Sequence, residues 1–285
     1  MKRIITLVFI NLFFFSCEEV VEIDTPVGAP RLIVDALLRI NTSEPVQNIS
    51  VKVNLTDSFF GETPATAVEQ MTITNIDMET SFENPNSIIL LQTEPGVYEA
   101  SKNTEFFLTG RLILQVDFQG ELYIASTQYV PGVPIDSLEQ GDASLFEGDE
   151  TEVIISFTDS AERNDFYLFD LGSDEYLVTE DEFYQGQQFV FSYFYDQTFE
   201  PGKEIEIGLL GVDEPFYNYM NQLIVQSGSD TAGPFQTPAA TVRGNIINAT
   251  GIDNIENFDN VGDPDNFALG YFAVCQEFRD TLTIQ

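Results

Sequence analysis

Apolar and polar residues alternate along most of the chain after residue 30. In the segment 51–55, valine and leucine alternate with lysine and asparagine, and the same period of two recurs over 112–118, 153–157 and 205–209. Such alternation is typical of a strand that buries one face and exposes the other. The pattern predicts an all-β fold built mostly from antiparallel, sandwich-like strands.

Turn-forming residues lie between these strand-like segments. Gln119-Gly120 separates the segments 112–118 and 122–129, which predicts a tight hairpin. Glu94-Pro95-Gly96 precedes another strand-like segment, 97–100. Short strands separated by glycine and proline are the pattern of an all-β protein.

One segment, 215–226, has the period of a helix. Asp213 or Glu214 can cap its N-terminus, and Pro215 suits its first turn. The residues at helical spacing are Phe216, Tyr219, Met220 and Leu223. We expect this helix to pack its aromatic residues over an open end of a sheet.

The composition changes at Pro131-Gly132-Val133-Pro134, after which the chain is polar and acidic as far as residue 150. We therefore divide the mature chain at this point. Residues 31–130 are the size of an immunoglobulin-like or transthyretin-like sandwich. Residues 131–285 are predicted to form a second β domain that carries the helix near 215–226.

The N-terminus resembles a secretory signal. Lys2 and Arg3 precede an apolar run over 4–15, which ends at Ser16-Cys17. A charged start, a short apolar run and a small residue before the break are the pattern of a cleaved signal peptide, here residues 1–16. The run is too short for a transmembrane helix, which needs about 20 apolar residues.

Cys17 is the candidate lipidation site. A cysteine after a small residue at the end of the apolar run resembles the lipobox of bacterial lipoproteins, although Phe14 and Phe15 depart from the usual residues there. Acylated Cys17 would be the mature N-terminus, with 17–30 as a tether, and more than one acyl chain gives a stable anchor. The alternative is a conventional signal peptide with an incidental cysteine. Cys275, the other cysteine, lies in a strand-like segment and is predicted to be buried as a small hydrophobic residue.

Glu18-Glu19 follows the candidate lipidation site directly. This pair resembles the acidic signal that sends some Bacteroidota lipoproteins to the cell surface. We therefore expect a lipid-anchored outer-membrane protein on the cell surface, with the periplasmic leaflet as the alternative. Removal of residues 1–16 takes away two basic residues and no acidic ones, so the formal charge changes from −36 to −38.

Charge and composition exclude several classes of function. The chain has 47 acidic residues against 11 basic ones and no histidine. Nucleic acid is excluded as a partner, because its binding begins with neutralisation by lysine and arginine. Without histidine there is no Ser–His–Asp or Cys–His nucleophile and no imidazole metal ligand. We expect a non-enzymatic protein, with a carboxylate-based hydrolase as a remote alternative in which no carboxylate pair is distinguished.

Acidic loop residues are candidate calcium ligands, since calcium binds six to eight oxygen atoms. The candidates are Asp253, Asp259, Asp263 and Asp265 in a late loop, and Asp159 with Asp165. Neither group follows the EF-hand spacing. In so acidic a chain, a solvated loop is the favoured alternative, and no other cofactor is expected.

An aromatic run is the candidate contact surface. Phe189, Phe191, Tyr193 and Tyr195 share one face of a strand-like segment, and Tyr193 and Tyr195 are the candidate ligand or partner contacts. The favoured alternative is a core strand of a sandwich. Phe183 and Tyr184 are the other two candidate ligand or partner contacts, and they are predicted to form an exposed edge.

A series of short motifs carries a family resemblance. In chain order they are Arg31-Leu32-Ile33-Val34-Asp35, Pro134-Ile135-Asp136-Ser137-Leu138, Phe157-Thr158-Asp159, Asn164-Asp165-Phe166-Tyr167, Asp181-Glu182-Phe183, Tyr217-Asn218-Tyr219, Pro234-Phe235, Gly244-Asn245-Ile246 and Leu269-Gly270-Tyr271-Phe272. The series resembles the Bacteroidota lipoprotein family of domain of unknown function 4249.

The resemblance implies a context and no catalytic residues. Members of this family are found beside TonB-dependent outer-membrane transporters. We therefore expect a surface lipoprotein that associates with such a transporter and helps to capture or gate its ligand. The alternative is an independent adhesion module that binds glycans or depends on calcium.

Overall fold

The computed structural model describes residues 29–57, 63–82, 84–145, 148, 150–173, 175–227, 241–252 and 266–285. Most of these residues form strands, so the all-β prediction is confirmed. The strands are β1 Leu32–Ile40, β2 Val46–Leu55, β3 Gln70–Asn75, β4 Ser87–Ile89, β5 Leu91–Glu94, β6 Val97–Asn103, β7 Arg111–Phe118, β8 Glu121–Val130, β9 Ile135–Gln140, β10 Thr151–Thr158, β11 Phe166–Asp170, β12 Tyr176–Glu180, β13 Gln188–Tyr195, β14 Glu204–Val212, β15 Ile247–Asn248 and β16 Leu269–Thr283. The helices are α1 Glu105–Leu108 and α2 Glu214–Ser227, and a 3-10 turn spans Asp181–Phe183.

The longest of these strands, β16, lies at the centre of the fold. Its first half pairs in parallel with β1, from Ile33 opposite Leu269 to Ile40 opposite Gln276. Its second half pairs with β14, which is antiparallel to it. A continuous sheet therefore runs in the order β2, β1, β16, β14, β11, β12.

The first sandwich is closed by one bent segment of the chain, which forms the strands at both ends of the strand order. Strands β4 and β5 lie at the two ends of the order β4-β3-β7-β8-β16-β1-β2-β6-β5. Only Leu90 separates them; it is buried and its N–H donates to the carbonyl of Met71. This segment thus pairs with β3 before the bend and with β6 after it. The closed arrangement encloses the first core, which includes Val34, Leu114 and Phe272.

A second sandwich forms farther along β16. The three-stranded sheet β13-β10-β9 covers one face of β14 and β11. The core between them is rich in aromatic rings, and Phe157 makes edge contacts with Tyr167 and Phe169 at centroid distances of 5.2 and 5.6 Å. Aromatic pairs in this geometry stabilise a core beyond their buried area.

Helix α2 lies on the opposite face of the continuous sheet. Phe216 is buried against β14 and β16 and contacts Tyr271 at 4.8 Å between ring centroids. The N-terminus is capped by Asp213, whose Oδ1 accepts the Phe216 N–H at 2.9 Å. The predicted helix over 215–226 is confirmed, and Asp213 is the cap.

Burial follows the predicted alternation. In β7, Leu112, Leu114 and Val116 are buried and the residues between them are partly exposed. In β10 the predicted face is buried as well, but so are Glu152 and Ser156 of the other face. The hairpin predicted at Gln119-Gly120 joins β7 to β8, with φ values of 53° and 77° at its two central residues. Positive φ at both positions is the requirement of a type I′ turn.

The predicted boundary at 131–134 lies where the chain leaves β8 for β9. The two predicted domains nevertheless share β16, whose residues Phe272 and Val274 contribute to the first core while Leu282 packs against the second. Residues 31–130 therefore lack one strand of their own sandwich. The chain order hides this because the missing strand is the last one.

Among the helices of the described ranges, none is both long enough and apolar enough to cross a membrane.

Candidate functional site

A groove of about 830 Å³ lies between α2 and the outer face of β1 and β2. Strand β1 buries its even-numbered residues in the first core and directs Ile33, Asp35, Leu37 and Arg39 to the other face. Within the described residues, helix α2 covers this face over β14 and β16 and leaves the part over β1 and β2 uncovered. The volume is in the range of small-molecule sites in proteins.

The floor of the groove carries two opposite charges. Asp35 and Lys52 lie directly opposite each other on β1 and β2, and both are exposed. Neither side chain has a hydrogen bond or an ion pair within the described part of the chain. A carboxylate and an ammonium group are thus available to a ligand on one patch of the floor.

The wall of the groove is apolar and aromatic. It is formed by Phe216, Tyr219, Met220 and Leu223 of α2, with Tyr271 of β16 beside them. Tyr219 packs against Tyr271 at 5.0 Å between ring centroids. Burial, and then the nearby charge of Asp35, raises the pKa of Tyr219 to about 12, so its hydroxyl is neutral and can donate a hydrogen bond near neutral pH.

Arg39, at one end of the floor, is held by an ion network. Its Nη1 lies 2.5 Å from Asp170 Oδ2 and 2.7 Å from Glu277 Oε1. Gly208 makes this possible, because a Cβ there would lie 2.7 Å from Glu277 Oε1. These two ion pairs occupy the Arg39 guanidinium group, whereas Asp35 and Lys52 are available for binding.

These features suit the binding of a ligand. An apolar wall with a few polar groups at fixed positions is the usual composition of a ligand site. The pair of opposite charges favours an amphipathic ligand with an apolar body and a charged group.

Two motifs of the family series contact each other and have a structural role. Gly244 passes so close to Gly270 that a Cβ on Gly244 would lie 1.6 Å from the Gly270 carbonyl oxygen. The adjacent Asn245 side chain accepts the N–H of Phe272 and donates to its carbonyl, both at 2.8 Å. Asn245 therefore replaces a strand partner along β16, where β8 pairs only with its residues 274 and 275.

A second structural contact lies at the start of β1. The guanidinium groups of Arg31 and Arg243 lie over the ring of Phe267, at 3.8 and 3.5 Å from its centroid. Cation–π contacts of this kind join segments that are far apart in the chain.

The candidate calcium pair Asp159 and Asp165 does come together, with Tyr167 between them. The Tyr167 hydroxyl bonds to Asp159 Oδ1 and to Asp165 Oδ2, and Arg163 pairs with Asp165 at 2.9 Å. The remaining Asp159 oxygen accepts the Gly186 N–H at 2.7 Å. Burial raises the pKa of the Asp165 carboxyl, against the opposing effect of Arg163.

These hydrogen bonds give the acidic cluster a structural role. No buried side-chain nitrogen or oxygen of the described residues lacks a hydrogen-bond partner. Nor does any group of three or more acidic or cysteine side chains within those ranges have a geometry suited to a metal ion. The cluster ties the β10–β11 connection to the loop before β13.

The four predicted aromatic contact residues differ in how far they are buried. Tyr195 is 2% exposed, and its hydroxyl donates to the carbonyl of Leu171 at 2.7 Å, so it belongs to the second core and is no contact surface. Tyr193 is half-buried and donates to Glu175. Phe183 is 85% exposed as predicted, but Tyr184 is only 6% exposed and stacks on Phe189, which corrects its placement on an exposed edge.

Cys17 and the candidate calcium residues Asp253, Asp259, Asp263 and Asp265 lie outside the described residues. Cys275 is a free, fully buried thiol in β16, as predicted, and burial raises its pKa above the ordinary value.

Sequence reasoning missed the groove. Asp35 and Lys52 are 17 positions apart, and only the β1–β2 register makes them neighbours. One signal was present: the first of the family motifs has an aspartate at position 35, between residues that the alternation assigns to a strand.

Comparison with models of protein families gives a match over most of the chain. The family model described as "Domain of unknown function (DUF4249)" matches residues 18–281. A search of the curated proteins found no match.

Proposed function

The chain belongs to the DUF4249 family, and we propose that the protein is a lipid-anchored, non-enzymatic binding protein of the outer membrane that works with a TonB-dependent transporter. The observation that carries the binding role is the groove, with its aromatic wall and the available charges of Asp35 and Lys52. The anchor follows from the lipobox-like sequence at Cys17. The transporter follows from the family resemblance.

The fold suggests an orientation for the anchored protein. The tether 17–30 leads directly into β1, which begins at Leu32 beside the start of β16. The 15 residues of β16 extend about 50 Å from there, toward the second sandwich. In the proposed arrangement the first sandwich and the groove lie nearer to the membrane, where a transporter would receive a ligand.

Co-purification tests the partnership. When the native protein is isolated from solubilised outer membranes, we expect a β-barrel transporter to be recovered with it. Cys17→Ser removes the proposed acylation site, so this variant should lose membrane attachment and recover less transporter. If the native protein never brings down a transporter, the partnership is refuted.

Dye binding tests the groove independently of the transporter. Anilinonaphthalene sulfonate has an apolar body and one negative charge, so we expect it to occupy the aromatic wall with its sulfonate near Lys52. Lys52→Glu should weaken dye binding about tenfold, because it replaces an attraction by a repulsion. The affinity is measured by fluorescence titration of folded protein.

The matched control is Lys203→Glu, the same charge reversal at an exposed lysine outside the groove. It changes the net charge equally and should alter dye affinity less than twofold, a small effect because distant charges are screened by salt. Equal losses in the two variants would show that the dye responds to net charge and that the groove is not its site.

A further inference from the structure

Strand β13 is an edge strand without the usual protection against pairing. It pairs with β10 along its whole length, from Gln188 opposite Thr158 to Tyr195 opposite Thr151, and with no other strand of the described ranges. Its other backbone edge has no backbone hydrogen-bond partner within those ranges. An edge of this kind offers a row of donors and acceptors to an added strand.

The sequence of β13, QFVFSYFY, contains no charged residue and no proline in eight positions, and its register has no bulge. Three other edges have such protection. On the opposite side of the same sheet, β9 carries Asp136 and Glu139, and its pairing with β10 has a register shift. Strand β5 also has a register shift, and β4 has only three residues.

The side chains of β13 support pairing on the outer face. Val190 is 53% exposed, and Ser192 is exposed beside it, while Phe189 and Phe191 face the core. Phe183, which is 85% exposed, lies in the 3-10 turn that precedes the strand. Two exposed apolar side chains, Phe183 and Val190, therefore lie in this strand or just before it.

We propose that β13 pairs with β13 of a second copy of the chain, antiparallel and about a two-fold axis, to form one continuous six-stranded sheet. Both cores stay on the same side of this sheet only if the axis passes through a residue, since successive side chains alternate between faces. An axis at Phe191 places Val190 opposite Ser192, and an axis at Ser192 places Ser192 opposite itself.

Charge favours a second copy over a basic partner. The first charged residue after the strand is Asp196. In the two registers it lies opposite Gly186 or Gln188 of the other copy, so no like charges face each other. A basic peptide would find no acidic side chain on β13 itself. The carboxylates beside that strand, Glu152 on β10 and Asp136 on β9, already accept hydrogen bonds from Ser192 and Gln188. The remaining repulsion between two strongly acidic bodies acts over longer distances and is screened within about 8 Å at physiological salt.

Cross-linking of full-length protein in membranes tests the proposal. The variant Val190→Cys/Ser192→Cys places thiols at the paired positions, and a short thiol-specific cross-linker should then give a covalent dimer. Cys275 is buried and does not interfere. The matched control is Ser137→Cys/Glu139→Cys on β9, because Ser137 and Val190 both pair with Ser156, and Glu139 and Ser192 both pair with Ile154. The control variant still has an intact β13 and should dimerise, but it should give no covalent dimer with the cross-linker.

Sedimentation equilibrium of the unsubstituted protein is the second measurement, and it does not depend on the variants folding. We expect a dimer whose dissociation constant falls about threefold or more as salt rises to physiological strength, since screening weakens the repulsion. A monomer at every salt concentration, equal cross-linking from both edges, or cross-linking of β13 to a different protein would each overturn the proposal.

Discussion

Gly270→Ala is expected to lower the free energy of unfolding by about 3–5 kcal/mol, because it combines a backbone clash with an unfavourable φ. A Cβ on Gly270 would lie 2.0 Å from the carbonyl oxygen of Val34, its register partner on β1. The φ of Gly270 is +96°, which side chains rarely adopt. The loss is a large fraction of the stability of an ordinary domain. Urea unfolding, followed by circular dichroism, measures it.

Gly120→Ala separates the two causes. Gly120 also has a positive φ, 77°, but no atom lies within 4 Å of the position that a Cβ would take. This variant should lose only about 1 kcal/mol, the cost of a strained backbone. If both variants lose the same amount, the contact with Val34 contributes nothing and the explanation given for Gly270 is wrong.

This comparison also assigns a role to the family motifs. Gly244, Asn245 and Gly270 meet at the place where β16 joins β1 and β8. A side chain at either glycine would clash with backbone, and the Asn245 side chain forms hydrogen bonds with the backbone of β16. Two of the nine motifs that carry the family resemblance thus help to specify the central strand. The charged pair of the groove, Asp35 and Lys52, includes only one residue of the family series.

The sequence was sufficient to predict local structure, because local structure depends on neighbouring residues. Alternation predicted that Val153, Ile155 and Phe157 are buried on one face, and turn chemistry predicted the hairpin at Gln119-Gly120. The position of β16 between β1 and β8 could not be predicted from alternation or turn residues. Its pairing with β1 joins residues more than 200 positions apart, and no local preference encodes such a contact.

The candidate sites show the same division. Phe183 and Tyr184 are adjacent, and both were predicted to lie on an exposed edge. The 3-10 turn at 181–183 exposes Phe183, whereas Tyr184, directly after the turn, is buried in the second core. Within the described part of the chain, the groove exists only because α2 covers part of the outer face of the sheet and leaves β1 and β2 uncovered. It is a property of packing, which composition and spacing do not specify.

The second large effect is expected at alkaline pH. Nine of the eleven tyrosines have a pKa raised above the ordinary value of 10.0, with burial as the largest cause in each. For Tyr129 and Tyr219 the pKa is raised to about 12. In the unfolded chain these hydroxyls ionise near pH 10, so there the folded protein binds more protons than the unfolded chain.

The sign of the pH dependence follows from this difference. A group whose pKa is raised on folding contributes stability below the unfolded pKa and loses it as pH rises through the folded pKa. For Tyr219 that window runs from about pH 10 to about pH 12. Each such tyrosine costs about 1.4 kcal/mol per pH unit in the window. Several together exceed the stability of a typical domain, so we expect cooperative unfolding near pH 11.

Tyrosine absorbance and circular dichroism, recorded together from pH 9 to 12, test this expectation. Because these nine hydroxyls lose the packing that raises their pKa when the protein unfolds, most of the rise in tyrosine absorbance should occur at the same pH as the change in circular dichroism. Tyr219→Phe removes one titrating hydroxyl from the wall of the groove, so its unfolding midpoint should move to higher pH than that of the unsubstituted protein. Smooth ionisation near pH 10 with the circular dichroism unchanged would show that these tyrosines are accessible in the folded protein, and would contradict the packing that closes both cores.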